Sequence, residues 1–224
     1  MRKKKDTFLK DGQFSFLASN PFAGYNFLPP ALKKIKNQAE GWHVPIVHDQ
    51  LGLFLNFFLS LFQPKRILEI GGGIGYSTHW MAMAVPQAEF VVIDSNQDRC
   101  QKLKENFSQF SSPVSLVVHS GRAQEILPQL QQKFDFIFLD STKKEYAELL
   151  PFLEKILVQK GWLVADNIGF QGRIQMDLSL VPVRFHLGVK NLRIFLEALG
   201  HSENWKSYFF SLADGIAVAQ KIGG

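Results

Sequence analysis

A chain of 224 residues can bury a full hydrophobic core in one domain, and 46% hydrophobic against 20% charged residues exclude a disordered tail. One cysteine, Cys100, excludes a disulfide framework and a thiolate-rich zinc site. Lys and Arg outnumber Asp and Glu by 25 to 20, a net charge of +5 that permits an anionic partner without requiring one.

In chain order, the basic start Met1–Asp6 is followed by no apolar stretch of signal-peptide length. Residues 1 to about 64 read as a helical segment of the same domain, with loops at Asn20-Pro21 and Pro29-Pro30. Lys33, Lys34 and Lys36 are expected on a solvated helix face. Leu51–Phe62 is the most apolar run, too short to span a bilayer. Its Gly52, Asn56 and Ser60 fall on one narrow stripe, which predicts a buried helix. With no export signal and no disulfide pattern, a cytoplasmic location without a membrane partner is expected.

From Lys65 the pattern changes. Arg66–Ile70, Phe90–Asp94, Val114–Val118, Phe134–Asp140 and Trp162–Asp166 are short apolar runs separated by segments that can be helical. This alternation predicts βαβ units and a parallel sheet covered on both faces. Near the end, Leu192, Phe195, Leu196 and Leu199 share a helix face that should stop at Gly200. Asp214-Gly215 between two apolar runs predicts a β-hairpin. The expected architecture is therefore α/β: five parallel strands, then a C-terminal antiparallel hairpin, in a core spanning residues 65–224.

Glu69–Ser77 contains Gly71, Gly72, Gly73 and Gly75 directly after the first strand and opens a helix. Glycines let the backbone turn tightly and approach a ligand, and the helix start beyond them favours an anion. The spacing is G-x-G-x-G. The dinucleotide fingerprint needs a later glycine, and Tyr76 and Thr78 stand there. Glu69 would repel a pyrophosphate and suits an ammonium group. Asp94 at the end of the second strand can accept two ribose hydroxyls. A ligand with a ribose, an ammonium and a carboxylate but no phosphate fits S-adenosylmethionine. A glycine-rich turn of any α/β protein remains the bland alternative, and an NAD-dependent oxidoreductase on a related sheet the functional one.

Asp140 ends the fourth strand, and Asp166 with Asn167 ends the fifth, where ligands of open α/β sheets bind. Two carboxylates and an amide oxygen suit Mg²⁺, Mn²⁺ or Ca²⁺ better than zinc. Turn chemistry after a strand would also explain Asp166-Asn167. Lys143, three residues past Asp140, reaches the same pocket and could serve as a base, with Lys144 as its solvated neighbour. His79 reads as structural, and His43 and His48 as candidates for the pocket border.

With these motifs in order the chain resembles the cation-dependent class I O-methyltransferases of catechol and caffeoyl-CoA type. It looks closest to their bacterial branch containing the tRNA 5-hydroxyuridine methyltransferase. The resemblance runs from about His43 to Gly215. It rests on Val44–Val47, Leu68–Thr78, Gly121–Pro128, Phe138–Tyr146, Val164–Asn167 and Ala213–Gly215. It implies a class I methyltransferase (Rossmann-like) sheet. By position it implies that Val47, Glu69, Gly71, Gly73, Ser77 and Asp94 hold the methionine and ribose parts, with Arg122, Ala123 and Gln124 at the adenine. Asp140 would touch both cofactor and metal, Asp166 and Asn167 would complete the metal site, and Lys143 would be the base or the electrostatic partner of the substrate oxygen. Thr142 stands where the family often has an aspartate, and Gln171–Val189 matches the family poorly.

The expected reaction is methyl transfer to a hydroxyl beside a second oxygen. The acceptor is a 5-hydroxyuridine in tRNA or a small catechol, with no DNA involved. A homodimer is what the resemblance implies. A non-catalytic binding module is the remaining alternative.

Overall fold

The computed structural model describes residues 28–108 and 114–223; the basic start Met1–Asp6 and the Asn20-Pro21 loop lie outside them. Two helices come first, α1 (Pro30–Trp42) and α2 (Asp49–Phe62). Then follow β1 (Arg66–Ile70), α3 (Tyr76–Ala84), β2 (Glu89–Asp94), α4 (Gln97–Phe107), β3 (Ser115–Ser120), α5 (Ala123–Ile126), β4 (Phe134–Leu139), α6 (Tyr146–Ile156) and β5 (Leu157–Ala165). The chain closes with α7 (His186–His201), β6 (Trp205–Phe210) and β7 (Ile216–Lys221).

The seven strands form one sheet in the order β3-β2-β1-β4-β5-β7-β6. β1 to β5 pair in parallel, and β7 runs antiparallel between β5 and β6. The expected parallel sheet and hairpin are both present. Alternate residues feed two cores. Ile67, Phe136, Phe138 and Val164 pack under α1 to α4, whereas Leu68, Ile70, Ile137, Leu139 and Leu163 pack under α6 and α7. Strands covered on both faces therefore read as continuous apolar runs.

The strand order reverses between β1 and β4, and the hydrogen-bond ladder continues one residue beyond the strand ends there. Gly71 N donates to Ile93 O (2.8 Å), Asp140 N to Ile70 O (2.8 Å) and Asp166 N to Leu139 O (3.0 Å). Three chemically important residues are thus held at one edge, where α/β sheets bind ligands.

Four expectations need correction. α2 is buried on one side only: Leu51, Leu55 and Leu59 are inside, while Phe57 and Leu61 are 61% and 70% exposed. Its small and polar stripe faces α3, because Gly52 abuts the Trp80 ring and Asn56 Nδ2 donates to Trp80 O (3.0 Å). α7 does not stop at Gly200 but runs from His186 to His201. The hairpin turn is a five-residue loop, Ser211–Gly215, with Ala213 (φ 51°) and Gly215 (φ 83°) in left-handed conformations, and not a two-residue Asp-Gly turn. β5 also begins earlier than expected, at Leu157, with an irregular register against β4 between Phe134 and Phe136.

Of the lysines expected on a solvated helix face, Lys33 and Lys34 are exposed, while Lys36 is half-buried and pairs with Asp49 (2.7 Å).

Candidate active site

A cavity of about 750 Å³ opens at the C-terminal edge of the parallel strands, within the usual range for small-ligand sites. Val47, Gly71, Gly73, Asp94, Ala123, Asp140, Lys143, Asp166 and Asn167 all line it. The sequence-derived site residues are thus largely brought together. His48 lines it, while exposed His43 closes α1 as its left-handed cap. Glu69, Ser77 and Arg122 are not on its wall.

Gly71 sets the approach of β1 to β4. Its φ of +95° suits glycine, and a Cβ there would lie 2.0 Å from the Asp140 carbonyl oxygen. Glu69 lies fully buried beneath this loop. It accepts hydrogen bonds from Ser77 Oγ and Thr78 Oγ1, which ties β1 to the first turn of α3. Burial raises its carboxyl to about 7, with Ser77 and Thr78 opposing. Asp94 accepts from Gly73 N and Asn96 N, both at 2.9 Å, so its carboxylate is aimed by the glycine loop itself. Arg122 is exposed and precedes the short α5.

On the other half of the cavity stand Asp140, Lys143, Asp166 and Asn167. Lys143 is buried, and its Nζ donates to Tyr146 Oη (2.7 Å), to Ser141 O (3.1 Å) and, more weakly, to Asp140 Oδ1 (3.5 Å). Burial lowers the Lys143 ammonium and raises the Asp140 carboxyl, against their mutual attraction. Asp166 is pushed to about 7 by burial and by Asp140. Among the described residues no group of three or more His, Cys, Asp or Glu could hold a metal ion; the donors here are two carboxylates and an amide.

Sequence reasoning gave no role to Tyr146. Its fully buried hydroxyl lies 3.0 Å from both Leu139 O and Asp166 O. It therefore joins the ends of β4 and β5 while accepting from Lys143. Its place three residues after Lys143, at the start of α6, was the available signal. Asp214, read only as turn chemistry, holds the loop after β5. Its two carboxylate oxygens accept from Gln171 N (2.9 Å each) and its carbonyl from Gly169 N (2.7 Å). This steadies a strained path in which Asn167, Phe170 and Gln171 all have positive φ. His79 is structural as expected, with Nδ1 at Gly75 O (3.0 Å) and its ring against Phe107.

Residues 26–222 match the family model described as O-methyltransferase. The chain belongs to that O-methyltransferase family. The enzyme is 30% identical to the catechol O-methyltransferase of Niastella koreensis over 154 residues, 66% of this chain and 67% of that one. It is 33% identical to the Bos taurus catechol O-methyltransferase over 137 residues, 56% of this chain but only 49% of that longer relative. The O-methyltransferase TomG from Streptomyces achromogenes, solved in complex with SAM, superposes with a TM-score of 0.82 at 24% identity, covering 96% of this chain and 100% of that one. The fold is that of the class I methyltransferases, and the enzyme is an S-adenosylmethionine-dependent O-methyltransferase. The nicotinamide-dependent reading falls away.

Proposed function

We propose that this enzyme methylates a hydroxyl that has a second oxygen beside it, with a divalent cation held by Asp140, Asp166 and Asn167. The observation that carries the reading is the convergence of these three donors and Lys143 on one cavity that the glycine loop also lines. The donor set fits a hard cation: burial raises the proton affinity of both carboxylates and Asp140 raises that of Asp166 further, and a divalent charge beside them would relieve that cost. When bound, Mg²⁺, Mn²⁺ or Ca²⁺ would lower the pKa of a chelating hydroxyl and fix its orientation. S-adenosylmethionine supplies an electrophilic methyl group on a cationic sulfur.

In this reading Gly71, Gly73, Val47, Asp94 and Ala123 hold the cofactor, with Glu69, Ser77 and Arg122 supporting them from behind. Asp140 stands between the two halves. Lys143 meets the acceptor hydroxyl and takes its proton. The resulting ammonium points its new N–H at the acceptor oxygen and its other two at Tyr146 Oη and Ser141 O, the long contact to Asp140 giving way.

Two acceptors have the required pair of oxygens. A catechol is favoured by the named relatives. A 5-hydroxyuridine in tRNA is favoured by Arg99, Lys144 and Arg184 on the cavity wall, none of which has an ion-pair partner among the described residues. We place the enzyme in the cytoplasm as a homodimer.

The test is transfer of labelled methyl to each acceptor before and after chelation. Activity should vanish with EDTA and return with Mg²⁺. Asp166→Ala should lose the response to metal, and Lys143→Met should slow turnover by about 10²- to 10⁴-fold. Activity that survives exhaustive chelation would refute the metal assignment.

A further inference from the structure

The segment Gln171–Val189 contributes Phe185, Arg184 and Gly188 to the cavity wall. It forms three short 3₁₀ turns, Arg173–Gln175, Leu178–Leu180 and Val183–Phe185, before α7. Phe170 and Phe185 meet edge to face at 5.8 Å. Gly188 lets α7 start against them: a Cβ there would be 2.9 Å from the Phe170 ring and 3.8 Å from Lys143 Cβ. The aromatic pair is thereby brought next to the side chain that meets the acceptor hydroxyl.

Two guanidinium groups lie against these rings. Arg173 Cζ is 4.3 Å from the Phe185 centroid and Arg184 Cζ is 4.8 Å from it. Their roles differ. Arg173 Nη1 donates to Phe170 O (3.2 Å) and Gln171 Oε1 (2.5 Å), so it holds the loop together. Arg184 has neither a hydrogen bond nor an ion pair among the described residues, and the same holds for the Lys144 ammonium. A guanidinium held against an aromatic ring keeps its N–H groups available to an anion. The acids on the same cavity are engaged elsewhere: Asp94 by Gly73 N, Asp140 by Lys143, Asp166 by Asn167 N and Asp214 by Gln171 N.

We propose that the acceptor is a planar aromatic molecule bearing an anionic oxygen group, a carboxylate or a phosphate, with its ring at Phe170 and Phe185 and its anion at Arg184 and Lys144. This rests on the methyl-transfer reading above and names the substrate class within it.

Calorimetry on the full-length protein, with S-adenosylhomocysteine and Mg²⁺ present, tests the proposal through two matched pairs. One is catechol and 3,4-dihydroxybenzoate; the other is 5-hydroxyuridine and its 5′-monophosphate. The anionic member of one pair should bind about tenfold more tightly, as a charge-assisted hydrogen bond provides. The pair that responds distinguishes carboxylate from phosphate. Arg184→Ala should shrink the preference to about twofold or less, and Arg184→Lys should restore part of it. Circular dichroism melting confirms that both variants fold. Equal affinities within both pairs, or a preference that Arg184→Ala leaves intact, would overturn it. Labelled-methyl transfer to the same compounds is read separately. An anion preference without methylation would sink the proposed acceptor, a hydroxyl beside a second oxygen, and leave the recognition standing.

Discussion

Glu69 has its charge held in check by burial. Its carboxyl titrates near 7 in the folded enzyme against 4.5 when free, because burial outweighs the hydroxyls of Ser77 and Thr78. The folded state therefore holds this proton more tightly than the unfolded state. Its contribution to stability is largest below pH 4.5 and declines as pH rises to about 7. Glu69→Gln lacks that dependence. Relative to the parent it should gain up to about 3 kcal/mol between those limits, an upper bound set by the shift. Melting temperatures of both proteins from pH 4 to 8 check this; parallel curves would refute it. Glu69 was recognisable in sequence as an acid ahead of the glycines. Its distance from the cavity wall was not, because that depends on which face of β1 the side chain takes under the folded-back loop.

The ends of β4 and β5 are joined by an element neither strand contains. Tyr146, in the first turn of α6, places one hydroxyl between Leu139 O and Asp166 O and accepts from Lys143 Nζ. Tyr146→Phe keeps the ring against Phe195 but leaves two buried carbonyls and an ammonium without that partner. Stability should fall by about 1–3 kcal/mol. Turnover should drop about ten- to a hundredfold as Lys143 loses its position, with KM for S-adenosylmethionine unchanged. Denaturant melts and steady-state kinetics measure both effects. An unchanged kcat would show that Lys143 needs no such support. The strands themselves were legible because each is apolar along its whole length. α2 was misread as buried all round because only a narrow stripe of it is polar; that stripe meets Trp80 through Gly52 and Asn56, while the apolar Phe57 and Leu61 are exposed. Periodicity shows that a face is distinct and does not say what it meets.

At the scale of the molecule, part of the exposed apolar surface lies beside α2 and β6. Phe57 and Leu61 of α2 and Tyr208 and Phe210 of β6 are exposed, and Phe54 contacts Phe210 at 6.3 Å. Exposed apolar groups close together are a candidate interaction face. It fits the homodimer proposed above, since a two-fold contact uses one patch twice. Light scattering should give a mass of about twice 25.4 kDa, and Leu61→Asp should shift it toward the monomer. A monomeric parent protein would remove that assembly. No described helix is long and apolar enough to cross a membrane.

The sequence by itself determined the alternation of strands and helices, the glycine loop, and the acids at the strand ends. These are local signals: period, turn chemistry, and the polar residue that follows an apolar run. Only the tertiary structure decided that β7 inserts beside β5, that Asp214 steadies the loop after that strand, and that Phe170, Arg184 and Phe185 border the cavity. Those contacts join residues more than forty positions apart, as Gln171 and Asp214 are, or sit in a segment of short turns with no period to read. Their partners are chosen by how the layers pack, which no stretch of chain specifies alone.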